Sequence, residues 1–319
     1  MNCSKCGTSS VILIRYSGLH LCSGHFREFV EKRVKSELRR QLGRIKGEEH
    51  IMCAVSGGKD SLIMLHLLTS IYEKHRNITL TALTVDEGIA GYRPPSVEKV
   101  VSFCKDRDIP LEIVAFDEYD GFPLDTVIED RGEMTPCAIC GVFRRRCMNS
   151  RAKELGATRL ATGHNLDDSA QTILMNLTRG DLQRMVRMGP HKIIKPGLIP
   201  RILPLRQIPE KECYLYAVLS GIDFHDGICP YYDLAQRNIY RHVIEELEEK
   251  TPGTRHSIVR TFDQLYEPLL SMYPNVSVAQ CERCGEPTSG ALCKWCEMVD
   301  KLKRLPDCEE GTTRTHFHS

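Results

Sequence analysis

The chain has 319 residues, which is enough for about two domains that each bury a hydrophobic core. Its 43 lysines and arginines balance 42 acidic residues, so the overall charge indicates neither a nucleic-acid-binding protein nor a membrane-surface protein. The amino-terminal residues do not resemble a secretory signal, and no stretch is apolar enough for a membrane helix. We therefore expect a cytoplasmic protein with no membrane partner, in which the 15 cysteines bind metal or take part in redox chemistry.

Each end of the chain carries a set of four metal ligands. The sets are Cys3, Cys6, Cys22 and His25 near the amino terminus, and Cys281, Cys284, Cys293 and Cys296 near the carboxyl terminus. In both, a two-residue spacer lets a tight turn aim two sulfurs at one tetrahedral centre. Four ligands leave no open position, so the spacing predicts two structural Zn²⁺ sites rather than free core cysteines. His20 is a weaker candidate than His25, which follows a cysteine by three residues.

A basic amphipathic helix is predicted next, over residues 26–46. Its apolar residues recur every three or four positions, and its other face carries eight basic residues against three acidic ones. Such a face is either a solvated surface or a local contact for an anionic partner.

A glycine loop follows a predicted strand at Ile51–Val55 and precedes a predicted helix at Leu62–Leu68. The loop reads Ser-Gly-Gly-Lys-Asp-Ser over residues 56–61, which is neither the Walker pattern nor Gly-x-Gly-x-x-Gly. Two glycines let the backbone approach an anion closely, and the amides that begin the helix point at it. The loop resembles the pyrophosphate loop of the N-type ATP pyrophosphatases, and this resemblance implies that it binds the β- and γ-phosphates of ATP.

Alternating strands and helices continue along the chain. We predict strands at 79–85, 111–116 and 159–162 and helices at 96–106, 144–155, 169–177, 210–220, 235–250 and 256–273. This order predicts an α/β fold with a Rossmann-like parallel sheet and helices on both faces, with its ligand crevice at the carboxyl ends of the strands. Residues 190–209 contain five prolines and predict an irregular connector.

The loop after the strand at 159–162 should lie beside the phosphate loop. It reads Gly-His-Asn-Leu-Asp-Asp and ends at Asp168, which could cap the following helix. Alternatively, its two carboxylates, Asp167 and Asp168, could hold Mg²⁺ beside the ATP phosphates.

A further pair, Cys137 and Cys140, precedes the predicted helix that begins at Arg144. One pair cannot complete a tetrahedral site. Cys229, which is followed by proline, is the best candidate for a third ligand because Cys-Pro recurs at iron-sulfur ligands. From the residues alone, a cluster, a redox dithiol and inert core thiols all remain open.

The chain resembles the TtuA and cytosolic thiouridylase group of tRNA 2-thiolation enzymes. The matching blocks are the amino-terminal Cys/His knuckle, Ser-Gly-Gly-Lys-Asp-Ser, Cys-x-x-Cys-Gly with a basic helix, Ala-Thr-Gly-His-Asn-Leu-Asp-Asp, Asn-Leu-Thr-Arg-Gly-Asp, Cys-Pro, and Cys-Glu-Arg-Cys-Gly-Glu-Pro-Thr. The resemblance implies the pyrophosphatase (PP-loop) fold with flanking zinc modules, and a [4Fe-4S] cluster on Cys137, Cys140 and Cys229 with one iron open to substrate.

The resemblance also implies a two-stage reaction. The C2 oxygen of a tRNA uridine attacks the α-phosphate of ATP, and sulfur then replaces the adenylated oxygen. Lys59, Asp60 and Asp168 are the expected catalytic residues. The expected ATP-binding residues are Ala54, Val55, Ser56, Gly57, Gly58, Lys59, Asp60, Ser61, Gly163 and Asp168. A ubiquitin-like carrier would supply hydrosulfide to the open iron; in an alternative scheme, a persulfide on Cys137 or Cys229 supplies the sulfur.

The near-zero total charge is the sum of a basic segment and an acidic segment, and a tRNA substrate explains the basic one. Residues 175–211 carry eight basic and two acidic residues, whereas residues 98–133 carry eleven acidic and four basic ones. The basic helix at 26–46, Arg144, Arg145, Arg146 and the basic residues from Arg179 to Arg206 are expected to meet phosphates. The Gly-Glu-Pro-Thr-Ser-Gly sequence at 285–290 favours a T-loop uridine over the wobble uridine. A homodimer is expected only by analogy with the family.

Six segments are expected along the chain. They are an amino-terminal zinc knuckle (1–27), a basic linker helix (28–49), the catalytic domain (50–209), a helical extension with Cys229 (210–275), a zinc ribbon (276–306) and a disordered tail (307–319). The remaining cysteines, Cys53, Cys104, Cys147, Cys213 and Cys308, are interpreted as ordinary thiols. Two other classes stay open: a PP-loop enzyme that makes 2-thiocytidine or lysidine, which should lack paired terminal knuckles, and a nonenzymatic zinc-ribbon RNA adaptor.

Overall fold

The computed structural model describes residues 1–119, 121–128, 134–188, 197–273, 279–288 and 290–303. The predicted tail, Cys308 and residues 190–196 of the predicted connector lie outside these ranges. Across the ranges described, no helix has both the length and the apolar character that crossing a bilayer requires.

Short strands at the two ends of the chain flank a longer central set. The strands are β1 (Ile12–Ile14), β2 (Leu19–Leu21), β3 (Glu49–Ala54), β4 (Ile78–Asp86), β5 (Leu111–Ala115), β6 (Arg159–Thr162), β7 (Arg201–Ile202), β8 (Ala279–Gln280) and β9 (Pro287–Thr288). β1 and β2 form an antiparallel hairpin in the amino-terminal module, and β8 and β9 form another in the carboxyl-terminal module.

Helices connect the central strands and continue after them. They are α1 (Ser23–Leu42), α2 (Lys59–Tyr72), α3 (Arg93–Lys105), α4 (Leu124–Ile128), α5 (Pro136–Glu154), α6 (Leu166–Thr178), α7 (Leu182–Val186), α8 (Glu210–Leu219), α9 (Arg237–Lys250), α10 (Thr254–Met272) and α11 (Lys294–Lys303). The predicted basic helix is α1, and it begins early enough to include His25 of the knuckle.

The central sheet has the strand order β5-β4-β3-β6-β7, and each neighbouring pair is parallel. The strand order reverses beside β3, which pairs with β4 on one side and β6 on the other. Ala54, the last residue of β3, lies opposite Leu83 of β4 and Thr162 of β6. The loops after β3, β4 and β6 therefore meet at one edge of the sheet, where doubly wound folds bind their ligands.

The two faces of the sheet bury different cores, because successive strand side chains point to opposite faces. Ile51 and Cys53 of β3 belong to a core with residues of α1, α2, α3 and α8, whereas Met52 belongs to a core with α4, α5 and α11. Helices α6, α7, α9 and α10 share a third apolar cluster. The predicted α/β fold with helices on both faces of a parallel sheet is confirmed.

Three local predictions were wrong. Cys137 and Cys140 do not precede a helix but lie in its first turns, because Thr135 caps α5 through a hydrogen bond from the Ala138 amide and Pro136 begins it. Asp168 is not the N-cap of α6; Asn165 is, and Asp168 completes a capping box at the third helical position. The predicted connector contains β7, a parallel edge strand of the sheet.

The carboxyl-terminal module packs directly on α5, the helix that carries the cysteine pair. Trp295 is 6% exposed and its ring lies 4.3 Å from the ring of Phe143, centroid to centroid. The buried carboxylate of Glu286 accepts ion pairs from Arg146 and Lys153 of α5, both at 2.8 Å. This carboxyl-terminal module is therefore part of the core that supports α5.

Candidate active site

The phosphate loop joins β3 to α2 at the carboxyl edge of the sheet. Gly57 has φ of 87°, and a Cβ there would lie 2.2 Å from the Ser96 carbonyl oxygen, so only glycine fits. The Ser61 hydroxyl closes the loop: it donates to the Gly58 carbonyl at 2.8 Å and accepts from the Ser56 amide at 3.0 Å. Gly58 caps α2 with no side-chain hydrogen bond, which leaves the helix start available to an anion.

The backbone before the loop is fixed by the sheet. Ala54 ends β3, and the Val55 amide donates to the Leu83 carbonyl at 2.8 Å. Gly163 follows β6 and passes so close to the loop that a Cβ there would lie 2.9 Å from the Ser61 Cα. The predicted adjacency of the two loops is thus built into the backbone, and it depends on glycine at 163.

Charged side chains of opposite sign surround the start of α2. Lys59 Nζ lies 3.0 Å from Asp60 Oδ2 and 2.9 Å from Glu210 Oε1. Burial alone would lower the pKa of Lys59, but these two carboxylates raise it above its usual value, so the ammonium group stays charged. Burial, with the charges of Asp168 and Glu210, raises the pKa of Asp60 to about 6 despite the lowering effect of Lys59.

The two carboxylates after β6 have different roles. Asp167 is committed to structure: Arg255 Nε lies 2.6 Å from its Oδ1, and the Glu210 amide donates to its Oδ2 at 2.8 Å. Asp168 Oδ1 pairs with Arg237 at 2.9 Å, and its Oδ2 accepts a hydrogen bond from the Asn165 amide at 3.2 Å. Both carboxylates are thus ion-paired with arginines, but the Asp167 pair is buried whereas the Asp168 pair is partly exposed, so Asp168 is the carboxylate that a cation could reach. Asp60 Oδ1 is buried without a hydrogen-bond partner among the described residues, which suits a bound cation.

The cysteines of α5 face the same edge of the sheet, together with Cys229. Burial raises the pKa of Cys137, and the charge of Cys229 raises it further, whereas Arg144 lowers it. Burial likewise raises the pKa of Cys140 to about 11, against the lowering effect of Arg144. The three sulfurs therefore share one recess, where Cys137 Sγ lies 4.0 Å from the Tyr231 carbonyl oxygen.

The distances distinguish this recess from a site for a single ion. Among the described residues, the sets of His, Cys and carboxylate ligands whose donor atoms all lie within 4.8 Å are the two terminal sets. Cys137, Cys140 and Cys229 are not such a set. Thiols that bind a cluster are each bonded to a different iron and lie further apart than ligands of one tetrahedral ion. At least one pair of sulfurs in the recess therefore lies more than 4.8 Å apart, a separation that a cluster, unlike a single ion, allows.

The two terminal ligand sets are brought together as the sequence predicts. His25 Nδ1 lies 3.3 Å from Cys22 Sγ and 3.5 Å from Cys3 Sγ, and His20 is not part of the set. Burial would raise the pKa of Cys3, but hydrogen bonds from backbone amides, including that of Lys5, lower it to about 6. The resulting thiolate is the form that binds metal.

The carboxyl-terminal set has the same character. Cys281 Sγ lies 3.7 Å from Cys296 Sγ, and Cys284 Sγ lies 3.5 Å from Cys293 Sγ. Burial would raise the pKa of Cys281, but backbone amides lower it to about 6. Both sets therefore offer four converging ligands, which fit a structural tetrahedral metal ion.

Four of the five cysteines interpreted as ordinary thiols are buried, and burial raises the pKa of each. They are Cys53, Cys104, Cys147 and Cys213. A high pKa and lack of access keep such thiols unreactive.

Some of the predicted phosphate contacts point inward instead. Arg146 pairs with Glu286 inside the protein, and Arg206 is 5% exposed and pairs with Asp263 at 2.6 Å. Arg145 and Arg201 differ, because neither has an ion-pair partner among the described residues. Burial and the charge of Arg145 together lower the pKa of Arg201 to about 10. The positive charges of these two guanidinium groups therefore act on each other.

Sequence reasoning missed several residues of the site. Glu210 and Arg237 contribute charges from helices that lie far along the chain from the loop, and neither belongs to a motif. A weak signal exists for Glu210, since it follows the last proline of the connector and begins a helix. Nothing in the sequence pairs Arg237 with Asp168.

The parallel sheet, the glycine loop and the charged crevice define a PP-loop nucleotide-binding protein. Residues 28–247 match the PP-loop domain, and residues 2–27 match the amino-terminal LIM domain of the 2-thiouridine synthetase TtuA. The tRNA 2-thiolation protein NcsA of Haloferax volcanii is 40% identical over 321 residues, covering 96% of this chain and 100% of that protein. The chain belongs to the PP-loop family of TtuA- and NcsA-type tRNA 2-thiolation proteins.

Two other relatives extend the comparison. The tRNA-5-methyluridine(54) 2-sulfurtransferase of Thermus thermophilus is 32% identical, covering 95% of this chain and 92% of that protein. The solved structure of the U34-tRNA thiolase NcsA from Methanococcus maripaludis, which contains a [4Fe-4S] cluster, has a TM-score of 0.83 and 35% identity. It covers 95% of this chain and 96% of that chain.

Proposed function

We propose that this protein is an ATP-dependent tRNA-uridine 2-sulfurtransferase of the cytoplasm. One observation carries the proposal: the phosphate loop and the three-cysteine recess lie at the same edge of the sheet and are joined. The His225 amide donates to the Gly57 carbonyl at 2.9 Å, and His225 precedes Cys229 by four residues. An activating nucleotide site and a sulfur site side by side are what a thiolation reaction needs.

In the first stage, the chain positions ATP and neutralises its charge. The loop amides, with Ser56 and Ser61, hold the β- and γ-phosphates, while Lys59 faces the α-phosphate. Asp60 and Asp168 would hold Mg²⁺, which would neutralise charge on the phosphates. The C2 oxygen of the uridine bonds to the α-phosphorus and pyrophosphate leaves, so C2 now carries a good leaving group.

In the second stage, hydrosulfide replaces the adenylated oxygen. Cys137, Cys140 and Cys229 would hold a [4Fe-4S] cluster, whose open iron supplies a binding position for the sulfur. A ubiquitin-like carrier with a terminal thiocarboxylate supplies the hydrosulfide. Sulfur bonds to C2, the C2–O bond to AMP breaks, and AMP leaves with the bonding electron pair. Arg144 lies one turn after Cys140 on α5 and offers a positive charge to the anionic sulfur.

The terminal modules and the exposed guanidinium groups serve the tRNA. Each four-ligand set would hold Zn²⁺, which stabilises the module without taking part in the reaction. Arg145 and Arg201 meet a phosphate beside the recess, and exposed basic residues of α1 extend the contact. Such contacts position RNA and do not read its sequence.

The wobble uridine, U34, is the site that we propose for modification. The 40% identity to an NcsA protein exceeds the 32% identity to the 5-methyluridine(54) enzyme, and the U34 thiolase NcsA has nearly the same fold. These similarities outweigh the preference for the T-loop that residues 285–290 suggest. A homodimer remains a proposal by analogy with the family.

The experiment uses anaerobically purified protein with tRNA, ATP, Mg²⁺ and sulfide. We expect a brown protein that yields one AMP per 2-thiouridine, with the thiolated nucleoside mapped to position 34 by mass spectrometry. Lys59→Met should lower the rate of AMP formation by about 10²- to 10³-fold, as loss of one preorganised charge does. Cys137→Ala should abolish the colour and the thiolation, whereas the buried control Cys104→Ala should retain both.

Three outcomes would refute different parts of the proposal. AMP formation that stays at background in the presence of tRNA would exclude adenylation. A colourless protein that is fully active under anaerobic conditions would exclude the cluster and favour a persulfide on Cys137 or Cys229. Thiolation mapped to position 54 would assign the chain to the T-loop branch instead.

A further inference from the structure

Glu87 lies between the phosphate loop and the cysteine recess, although no motif includes it. It follows the last residue of β4, and it is 5% exposed. One carboxylate oxygen, Oε2, lies 2.8 Å from Arg93 Nε, and the other, Oε1, lies 3.6 Å from a terminal nitrogen of Arg144. A single buried carboxylate thus joins two guanidinium groups from different helices.

Arg93 connects this carboxylate to the phosphate loop. It is the first residue of α3 and is 3% exposed. Its guanidinium donates to the Ser56 carbonyl at 2.7 Å and to the Ser96 hydroxyl at 2.9 Å. A Cβ at Gly57 would lie 2.2 Å from the Ser96 carbonyl oxygen, so the loop and the first turns of α3 are in close backbone contact. Arg93 therefore ties the phosphate loop to α3 and to Glu87 through direct contacts.

Arg144 connects the same carboxylate to the sulfurs. It lies four residues after Cys140 on α5, so the two side chains are neighbours on one helix face. The Arg144 side chain is 45% exposed and reaches from the recess back to Glu87. Among the described residues, Glu87 is the carboxylate within ion-pair distance of this charge.

We propose that Glu87 is a positioning residue that couples nucleotide occupancy of the phosphate loop to the sulfur site, through Arg93 on one side and Arg144 on the other. The inference rests on the proposed function and adds to it an order of events: the sulfur site is set for transfer when ATP occupies the loop. Without the coupling, the adenylated uridine reacts with water before sulfur is delivered. Water then bonds to C2, the C2–O bond to AMP breaks, the water protons go to solvent and to AMP, and unmodified uridine returns.

The measured quantity is the ratio of AMP formed to 2-thiouridine formed. We expect a ratio near one for the native protein and a rise of at least fivefold for Glu87→Gln, with AMP formation itself within threefold of native. A second readout is the electron paramagnetic resonance signal of the reduced cluster. A nonhydrolysable ATP analogue should change this signal in the native protein and leave it unchanged in Glu87→Gln.

Two further variants keep the test falsifiable. Glu87→Asp keeps the negative charge but withdraws the carboxylate by one methylene, which weakens first the longer contact, that to Arg144 at 3.6 Å, so it should fold and still raise the ratio. The control is Glu118→Gln, which removes a carboxylate that pairs at 2.8 Å with Arg151. Arg151 is another arginine of α5, but it lies near the end of the helix, away from Cys137 and Cys140. The control should keep a ratio near one.

The possible failures are distinguishable. If the native protein forms no AMP and no 2-thiouridine, the proposed function fails. If the native protein is active and Glu87→Asp keeps a ratio near one with a normal response to the ATP analogue, only the coupling is refuted. If both Glu87 variants lose iron and AMP formation together, Glu87 supports the fold alone and the inference is also refuted.

Discussion

Trp295 provides the sharpest test of how the carboxyl-terminal module supports the catalytic core. Its side chain is 6% exposed and its ring packs at 4.3 Å from Phe143 on α5. A tryptophan buries about 150–250 Å² of surface, and at about 25 cal/mol per Å² its removal forfeits roughly 4–6 kcal/mol of burial. Measured Trp→Ala costs in cores are about 3–5 kcal/mol. We therefore expect Trp295→Ala to lower the free energy of unfolding by about 3–5 kcal/mol.

The loss of unfolding free energy should come from the contact between the carboxyl-terminal module and α5. A Cβ at Gly121 would lie 2.8 Å from the Trp295 ring, so the ring packs tightly against the Gly121 backbone and its removal leaves a cavity there. The helix that carries Cys137 and Cys140 loses that support, and the iron content of the purified protein should fall as well.

Urea denaturation followed by far-ultraviolet circular dichroism measures the stability, and limited proteolysis detects release of the module. Tyr214→Ala is the matched control, because Tyr214 is an aromatic residue that is 54% exposed. It should change stability by no more than about 0.5 kcal/mol. If Trp295→Ala matches this control in stability and iron content, the module does not support α5 and the reasoning is wrong.

Three further predictions concern the capping box of α6, the contact between Arg33 of α1 and His256 of α10, and the tRNA contact. Asn165→Ala removes the N-cap half of the capping box of α6 and should cost about 1 kcal/mol in urea denaturation, with Asn165→Ser retaining most of the stability. Burial and the neighbouring Arg33 lower the pKa of His256 to about 4 from 6.5, so the unfolded chain binds more protons between these values and stability should rise with pH across that window. His256→Gln should flatten the rise, and an unchanged slope would contradict the assignment. Arg145→Gln should reduce the slope of log affinity for tRNA against log salt by about one phosphate contact, whereas Arg146→Gln, which loses an internal ion pair, should leave the slope intact.

The local motifs could be predicted from the sequence because each is made by neighbours in the chain. The glycine loop binds phosphate through its own backbone, and the pair spacings of the zinc sets follow from single turns. The parallel sheet follows from the alternation of strands and helices, and the carboxyl edge then places Gly163 beside Ser61. These features require no knowledge of distant contacts.

Distant pairings could not be predicted in the same way. The sequence assigns Asp167 and Asp168 alike to Mg²⁺, but Arg255 of α10 pairs with Asp167 in a buried contact, whereas the pair between Asp168 and Arg237 of α9 is partly exposed. It assigns Arg145 and Arg146 alike to phosphate, but Glu286 of the carboxyl-terminal module turns Arg146 inward. Identical neighbours in sequence acquire different roles because the partner comes from another element.

The sequence by itself therefore determined the family, the fold class and the ligand sets, since short-range spacing and backbone geometry specify them. Only the tertiary structure decided which charges remain available for chemistry. A carboxylate or guanidinium is free for substrate only if no buried partner of opposite charge reaches it, and that depends on how the helices pack. The link from Ser56 through Arg93 and Glu87 to Arg144 is of this kind, because its members become neighbours only after β4, α3 and α5 assemble around one edge of the sheet.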